Sequence, residues 1–231
     1  MTEFRARILA ALDAPLGGPL ARVVRAAAGT AIVVEMDEPD RTGIALAELV
    51  GALARSGVPR GRQLVLLTGT GGGDGGEAAR ALRSALGVPV FRHEEPGAAF
   101  VAGRLADGTP VELDDELREA EDVIVAVLFA AAEHDGVRGG PAAIWPGLAP
   151  RAARETLARE LAVLERGARP LAAYERSLAA ASVAPPGFAL LWSAHEPPEV
   201  VAGEAREAFT RAVARGWIDA RLDARRSALL D

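Results

Sequence analysis

Short apolar segments that alternate with stretches of helical periodicity constrain the fold of this chain more than any other feature. Four such segments are rich in Val, Ile and Leu and are predicted to be β-strands: residues 31–35, 63–68, 88–92 and 123–128. Apolar residues recur at helical spacing over 44–55 and again over 77–86. Such alternation is typical of parallel sheets covered by helices. The sequence therefore predicts an α/β fold, a single Rossmann-like three-layer domain with a mostly parallel sheet in which these four strands are adjacent.

The remainder of the chain continues this pattern with one interruption. Asp107-Gly108 separates two short apolar segments and predicts a tight β-hairpin. Residues 133–147 contain Gly and Pro and predict a loop, and helices are predicted over 150–166 and 170–181. A final buried strand is predicted over 187–193 and a final helix over 203–215. No linker is evident, so we expect one domain over residues 1–231.

Composition and charge exclude several classes of protein. The formal net charge is −6 without a basic stretch, which argues against a nucleic-acid partner. No apolar segment is long enough to span a membrane, and residues 1–25 carry charges where a signal peptide needs an apolar core. The sequence thus predicts a cytoplasmic protein. The chain also has no cysteine and no lysine, which excludes thiolate ligands, Schiff bases and cofactor attachment through an ε-amine.

The first candidate site is the glycine-rich segment after the second predicted strand. It contains Gly69, Thr70, Gly71 and Gly72 and leads into a predicted helix, whose N-terminus attracts anions. Residues 71–76 also satisfy G-x-G-x-x-G, although that match is easily met in a glycine-rich stretch. The alternative is a strand-to-helix turn with no ligand.

The second candidate site follows the fourth predicted strand. His134 is a candidate base, and Arg138 is suited to hold a carboxylate through a bidentate fork beside Gly139 and Gly140. This position suits a ligand because open α/β sheets bind ligands beyond the carboxyl ends of their strands. The alternative is a solvated surface loop.

Two further candidates follow the first and third predicted strands. Residues 37–40 carry three carboxylates, which suggests a metal or a polar ligand beside Asp40, Arg41 and Thr42, and His93 precedes two glutamates. Both groups are also common in solvated loops. If a ligand binds, the shared edge of a parallel sheet would bring these segments together.

In chain order, these segments resemble the nickel-pincer lactate racemase family in the part that forms its N-terminal domain. Asp40-Arg41-Thr42 stands where that family carries D-x-T-R-P, and Thr68-Gly69-Thr70 stands in its T-G-T-H-R turn. Four further similarities follow: His93 at v-x-x-H-d, residues 103–111 at G-x-t-x-x-G-t-P-V, residues 119–124 at e-A-D-l-I, and residues 136–149 at G-F-S-G-G-x-K followed by P-G-i-A. The resemblance covers nearly the whole chain.

The same resemblance implies a site from which this chain departs. Members of the family hold nickel in a pincer made from a pyridine nucleotide tethered to a lysine. One histidine ligates nickel, two exchange the proton, and an arginine grips the substrate carboxylate. Here Gly71 and Ala132 stand at the places of the proton-transferring histidines. Ala142 stands at the place of the lysine and Gly43 at that of the arginine. The helix after Pro146-Gly147 offers no histidine.

We therefore predict a diverged homologue without the catalytic histidines, the tether, a metal site, a cofactor or the family's C-terminal domain. It would bind a small anion such as a carboxylate or nucleotide, or a protein partner, either a second copy or a separate chain. The alternative is an isomerase, a racemase or epimerase of 2-hydroxy acids, that uses His134 and His93 with a non-covalent cofactor. A third hypothesis is a nucleotide-binding module that uses residues 69–76.

Overall fold

The computed structural model describes residues 1–25, 29–36, 38–68, 75–93, 98–132, 136–164 and 168–218. The helices in these ranges are α1 (Thr2–Asp13), α2 (Leu20–Val23), α3 (Pro39–Arg55), α4 (Gly75–Leu86), α5 (Arg151–Ala162), α6 (Arg169–Val183) and α7 (Ala205–Ala214). The strands are β1 (Thr30–Glu35), β2 (Gln63–Thr68), β3 (Val90–Arg92), β4 (Ala99–Arg104), β5 (Pro110–Asp114), β6 (Asp122–Leu128), β7 (Ala130–Ala132), β8 (Gly136–Arg138), β9 (Phe188–Trp192) and β10 (Val200–Glu204). Short 3-10 turns include Gly140–Ala143.

A six-stranded sheet in the order β10-β9-β6-β1-β2-β3 forms the centre of the molecule. All neighbouring pairs are parallel except β10 and β9, which are antiparallel. The predicted α/β class, the mostly parallel sheet and the adjacency of the four predicted strands, now β6, β1, β2 and β3, are confirmed. The antiparallel edge strand was not predicted.

Two apolar layers cover the two faces of the sheet, because the central strands are apolar apart from polar residues at their ends. In β1, Ile32 and Val34 pack with α1, α3 and α4, whereas Ala31 and Val33 pack with α5, α6, α7 and the β4–β5 hairpin. All four side chains are fully buried. Strands buried on both faces are expected to be continuously hydrophobic in parallel sheets. The result is the three-layer arrangement that the alternation predicts.

The helix α3 shows how local sequence positions these layers. It begins at Pro39, whose missing N–H costs nothing in the first helical turn. Leu46, Leu49, Val50 and Leu53 recur at helical spacing and are buried against the sheet. Because α3 starts directly after β1, its first turn lies at the carboxyl edge of the sheet.

The N-terminal segment covers the outer edge of β10. The Leu16 backbone N–H donates to the Ala202 carbonyl at 2.9 Å, and the Glu204 N–H donates to the Leu16 carbonyl at 3.0 Å. Gly203 lies between these contacts with φ +154°, where an added Cβ would stand 2.5 Å from the Leu16 carbonyl oxygen. The exposed edge that β10 would otherwise present is thereby paired.

Two sequence predictions need correction. The final helix, predicted from residue 203, begins at Ala205, because residues 200–204 pair with β9 as β10. The segment 133–147, predicted as a loop, contains β8 in its described part, and β8 pairs with β7 as a short hairpin. The hairpin predicted at Asp107-Gly108 is present as β4 and β5, with Gly108 at φ +85°. Within the described ranges, no helix is both long and apolar enough to cross a bilayer.

Candidate functional site

The carboxyl ends of β1 and β6 form the topological switch point of the sheet. The chain passes from β1 to β2 on one side, whereas β6 pairs with β1 on the other side. Open α/β sheets bind ligands in the crevice outside such a point, because the connections above it leave in opposite directions. The start of α3 follows β1, and the β7–β8 hairpin follows β6. The switch point therefore lies between the predicted site residues 40–42 and 138–140.

Arg41 is the centre of a charged cluster at this edge. Its Nη1 donates to Glu38 Oε1 at 3.2 Å, and its Nη2 donates to the Glu196 carboxylate. The guanidinium carbon lies 5.8 Å from the centre of the Phe4 ring, a cation–π contact. The hydrogen bond to Glu196 raises the pKa of Arg41, and burial opposes this effect. The guanidinium is therefore charged and held by two carboxylates.

Trp192 fixes the position of this cluster. Its indole Nε1–H donates to the second oxygen of Glu38, Oε2, at 3.1 Å. The Trp192 ring meets the Phe4 ring edge to face, with centroids 6.0 Å apart. Trp192 ends β9 and is fully buried. The Arg41 guanidinium thus takes its orientation from side chains of α1, of β9 and of Glu38, the residue before α3.

Asp40 and Thr42 occupy different environments from Arg41. Thr42 is fully buried, and its hydroxyl donates to the Glu35 backbone carbonyl at 3.2 Å. Its backbone N–H donates to the Glu38 carbonyl at 2.8 Å. Thr42 therefore secures the junction between β1 and α3, whereas Asp40 is exposed to solvent.

The glycines after β8 are required by close packing. Gly139 has φ +69°, and a Cβ there would stand 1.8 Å from the Leu128 carbonyl oxygen. At Gly140, with φ +56°, a Cβ would stand 2.6 Å from the Phe129 ring. Both positions therefore accept only glycine, and they bring the chain close to the end of β6. Arg138, which precedes them, is exposed.

Three polar residues form a row across the ends of β1, β2 and β3. Glu35 pairs in register with Thr68. The backbone N–H of His93 donates to the Leu67 carbonyl at 2.9 Å, which places His93 beside Thr68. By strand alternation, all three side chains lie on the sheet face that carries Val33 and Leu66. The row therefore faces the layer formed by the β4–β5 hairpin and residues 142–149.

His93 lies at the end of this row in a closed set of hydrogen bonds. Its Nδ1 contacts the Asp114 carboxylate, and its Nε2 lies 3.2 Å from the Ala149 carbonyl oxygen. The side chains of His93 and Asp114 are only 7% and 10% exposed. Both ring nitrogens are thus occupied by groups of the protein. His93 ties the end of β3 to the end of β5 and to the turn before α5.

The carboxyl group of Asp114 is shifted by this environment. Burial raises its pKa, but the hydrogen bonds from His93 and from the Glu116 backbone N–H, with the charge of His93, outweigh burial and leave the pKa below its usual value of 3.8. A carboxyl group whose pKa is lower in the folded state stabilises the fold at pH values above the unfolded pKa. This contribution is lost as pH falls through the folded pKa.

We therefore expect stability to decrease with acid partly through Asp114. The free energy of unfolding, measured by denaturant titration between pH 7 and pH 2, should fall below about pH 4. Asp114→Asn should be less stable than the parent at pH 7 and should lose less stability between pH 4 and pH 2. Asp115→Asn, at an exposed neighbour, should keep the parent's slope. An unchanged acid slope in Asp114→Asn would contradict this assignment.

Several predicted site residues lie outside the described residues. They are His134, Gly69, Thr70, Gly71 and Gly72. Among the residues that the structure describes, no group of three or more His, Asp or Glu side chains is arranged to hold a metal ion.

The sequence analysis missed several members of the site. Trp192 and Asp114 were not identified, and Glu38 and Glu196 were not among the predicted site residues. Nothing in the sequence marked Trp192 as a site residue, because an apolar residue at the end of a buried strand usually belongs only to the hydrophobic core. Glu38 lies in the acidic segment after β1, but its partner Trp192 is remote in sequence. Asp114 follows the β5 strand, and only the fold brings it to His93.

The sequence model of the family described as "lactate racemase N-terminal domain" matches residues 2–159. None of the curated proteins matches the chain significantly.

Two solved structures resemble the fold. The apoprotein of lactate racemase from Thermoanaerobacterium thermosaccharolyticum superposes with a TM-score of 0.73 at 18% identity, covering 90% of this chain and 54% of that one. A protein from Thermotoga maritima superposes with a TM-score of 0.57 at 17% identity, covering 93% of this chain and 57% of that one. This chain therefore spans little more than half the length of these two structures.

Proposed function

Because this chain belongs to the family of lactate racemase N-terminal domains, we propose that it binds a small carboxylate at the switch point and does not racemise hydroxy acids by nickel chemistry. The observation that carries the proposal is the fixed Arg41 guanidinium, which stands at the carboxyl edge and binds carboxylate groups of the protein. Arg138 lies at the end of the hairpin that follows β6 and supplies a second cation to the same edge.

The residues present do not fit the family's nickel-pincer nucleotide. The chain has no lysine at all, so the covalent tether cannot form. Ala142, which stands at its place, is 8% exposed within the buried 3-10 turn Gly140–Ala143. Ala132 replaces a proton-transferring histidine with a methyl group that has no acid or base chemistry. We derive no reaction step through this cofactor.

An isomerase that uses His93 as its base is less well supported. A general base must reach the proton that it removes, and both nitrogens of His93 are engaged by Asp114 and Ala149 in a buried position. His93 would have to leave these contacts before it could serve a substrate. The geometry therefore favours a structural role for this histidine.

Intact-mass and metal analysis test the proposed absence of nickel chemistry. After co-expression with the enzymes that make the nickel-pincer nucleotide, we expect the mass of the unmodified chain, no stoichiometric nickel and no lactate racemisation. An authentic lactate racemase, expressed in parallel, provides the positive control for adduct formation. A cofactor-sized covalent adduct, or nickel at one per chain with racemase activity, would overturn this part of the proposal.

Calorimetric titration tests the binding function. We expect acetate, lactate and propionate to bind the parent protein, and the uncharged amide of lactate not to bind. Replacing Arg138 with Gln should weaken this binding if the ligand reaches the hairpin, whereas Arg159→Gln, at an exposed position of α5, should not. If no carboxylate binds the parent in the millimolar range or below, the proposed binding function is wrong.

A further inference from the structure

We propose that Glu196 occupies the Arg41 guanidinium in the unliganded protein as a built-in competitor. A ligand carboxylate would bind by taking the place of the Glu196 carboxylate on Nη2 of Arg41. This inference rests on the proposed function and adds to it that an acidic residue of the chain lowers the affinity for the ligand.

The first support is the preorganisation of Arg41. The guanidinium is held by the Phe4 ring on one side and by Glu38 on another, and Glu38 is itself held by the indole N–H of Trp192. Arg41 is 20% exposed. A receptor group that is already oriented loses little conformational freedom when it binds, which favours affinity.

The second support is the contrast between the two carboxylates on Arg41. Glu196 is 72% exposed, whereas the Glu38 side chain is 31% exposed and has a second hydrogen bond from Trp192. Ion pairs with an exposed partner contribute little to stability, because water screens the charges. Glu196 is therefore the carboxylate that can be displaced, and Glu38 is the one that stays.

The third support is the position of Glu196 on a firmly anchored turn. The turn joins β9 to β10, and residues 194–197 are exposed. Its base is closed by two hydrogen bonds, from the Ser193 N–H to the Glu199 carbonyl at 3.0 Å and from the Glu199 N–H to the Ser193 hydroxyl at 2.9 Å. The Glu196 side chain can leave Arg41 while this base remains in place.

The charge of the cluster indicates the class of ligand. With Glu38 and Glu196 both bound, one guanidinium serves two carboxylates. A monocarboxylate that replaces Glu196 leaves the number of negative charges on Arg41 unchanged. A phosphate dianion would add one more negative charge beside Glu38. Like charges at close range disfavour binding. The site should therefore prefer a monocarboxylate to a phosphate monoester.

Titration of the purified chain with acetate, lactate and inorganic phosphate tests the inference. Glu196→Gln should bind acetate and lactate up to about fivefold more tightly than the parent, because an exposed ion pair opposes binding by at most this factor. Arg41→Gln should weaken binding at least about tenfold. Glu199→Gln breaks a neighbouring ion pair, with Arg215, and should bind as the parent does. Phosphate should bind more weakly than lactate to every variant.

Arg41→Lys keeps the charge without the fork and serves as a second variant if Arg41→Gln does not fold. It should also bind lactate more weakly than the parent. Suppose that lactate binds the parent, that Glu196→Gln has the affinity of the parent, and that both Arg41 variants bind normally. This inference is then wrong, and other residues such as Arg138 bind the carboxylate. If lactate binds neither the parent nor Glu196→Gln, the proposed function fails as well.

Discussion

Replacing Gly139 with alanine is expected to destabilise the protein by about 4 kcal/mol or to prevent its folding. The new Cβ would stand 1.8 Å from the Leu128 carbonyl oxygen and 2.8 Å from its carbon, both backbone atoms at the end of the central strand β6. The backbone at φ +69° and ψ −161° lies in a region that glycine alone adopts readily, and it adds about 1–3 kcal/mol of strain for a residue with a Cβ. Relief of the clash would require β6 or β8 to move, and changes of backbone position in a packed core are among the most costly. Denaturant titration measures the loss.

Gly216 provides the matched control for this variant. It has φ +73°, close to that of Gly139, but an added Cβ would meet no atom of the described residues within 4 Å. Gly216→Ala should therefore lose only the strain of the left-handed backbone, about 1–2 kcal/mol. The difference between the two variants reports the clash together with the additional backbone strain at Gly139. Equal losses in both would show that contact with Leu128 does not limit the Gly139 position.

Replacing His93 with alanine should lower the free energy of unfolding at pH 7 by about 3 kcal/mol. The variant leaves the Asp114 carboxylate buried without its principal hydrogen-bond partner, and an unsatisfied buried polar group typically costs about 1–3 kcal/mol, or more when it is charged. It also releases the Ala149 carbonyl, so the turn before α5 loses a tie to β3. Chemical denaturation followed by tryptophan fluorescence is suitable, because Trp145 is buried close to this turn in the chain.

A double-mutant cycle separates the energy of the His93–Asp114 contact from the loss of packing. Asp114→Ala alone should also be destabilising, and the double variant should cost clearly less than the sum of the two single variants. Arg118→Ala, which breaks an exposed ion pair with Asp115, should cost at most about 1 kcal/mol. Strict additivity of the His93 and Asp114 variants would mean that their contact does not stabilise the fold.

The parts of the fold that were predictable are those in which local sequence and final environment agree. Residues 64–67 are apolar at positions that lie inside a sheet covered on both faces, and β2 has the predicted bounds 63–68. The strand β10 was not predicted because its sequence, Val200 to Glu204, includes a glycine and continues directly into α7. Its identity as a strand depends on β9 and on Leu16, which is remote in the chain.

The sequence predicted where the candidate site lies, but not which side chains surround its residues. The rule that ligands bind at the carboxyl edge placed Arg41 and His93 at the same edge, and both lie there. Their partners could not be derived, because Asp114 and Glu196 reach them through the packing of separate elements. The sequence does not show whether a polar side chain is already paired with a carboxylate of the same chain.

The pairing of Leu16 with residues 202–204 has a consequence for the order of folding. The contact joins two segments separated by most of the chain, and contacts of such separation form slowly. The entropy of closing so long a loop grows only logarithmically with length, so the contact is not thermodynamically unfavourable for that reason. The β1–α3–β2–α4 units, by contrast, are made from neighbouring segments and can assemble first. We therefore expect the N-terminal segment to dock onto β10 late, after the rate-limiting step, so that weakening this contact accelerates unfolding and leaves the folding rate nearly unchanged.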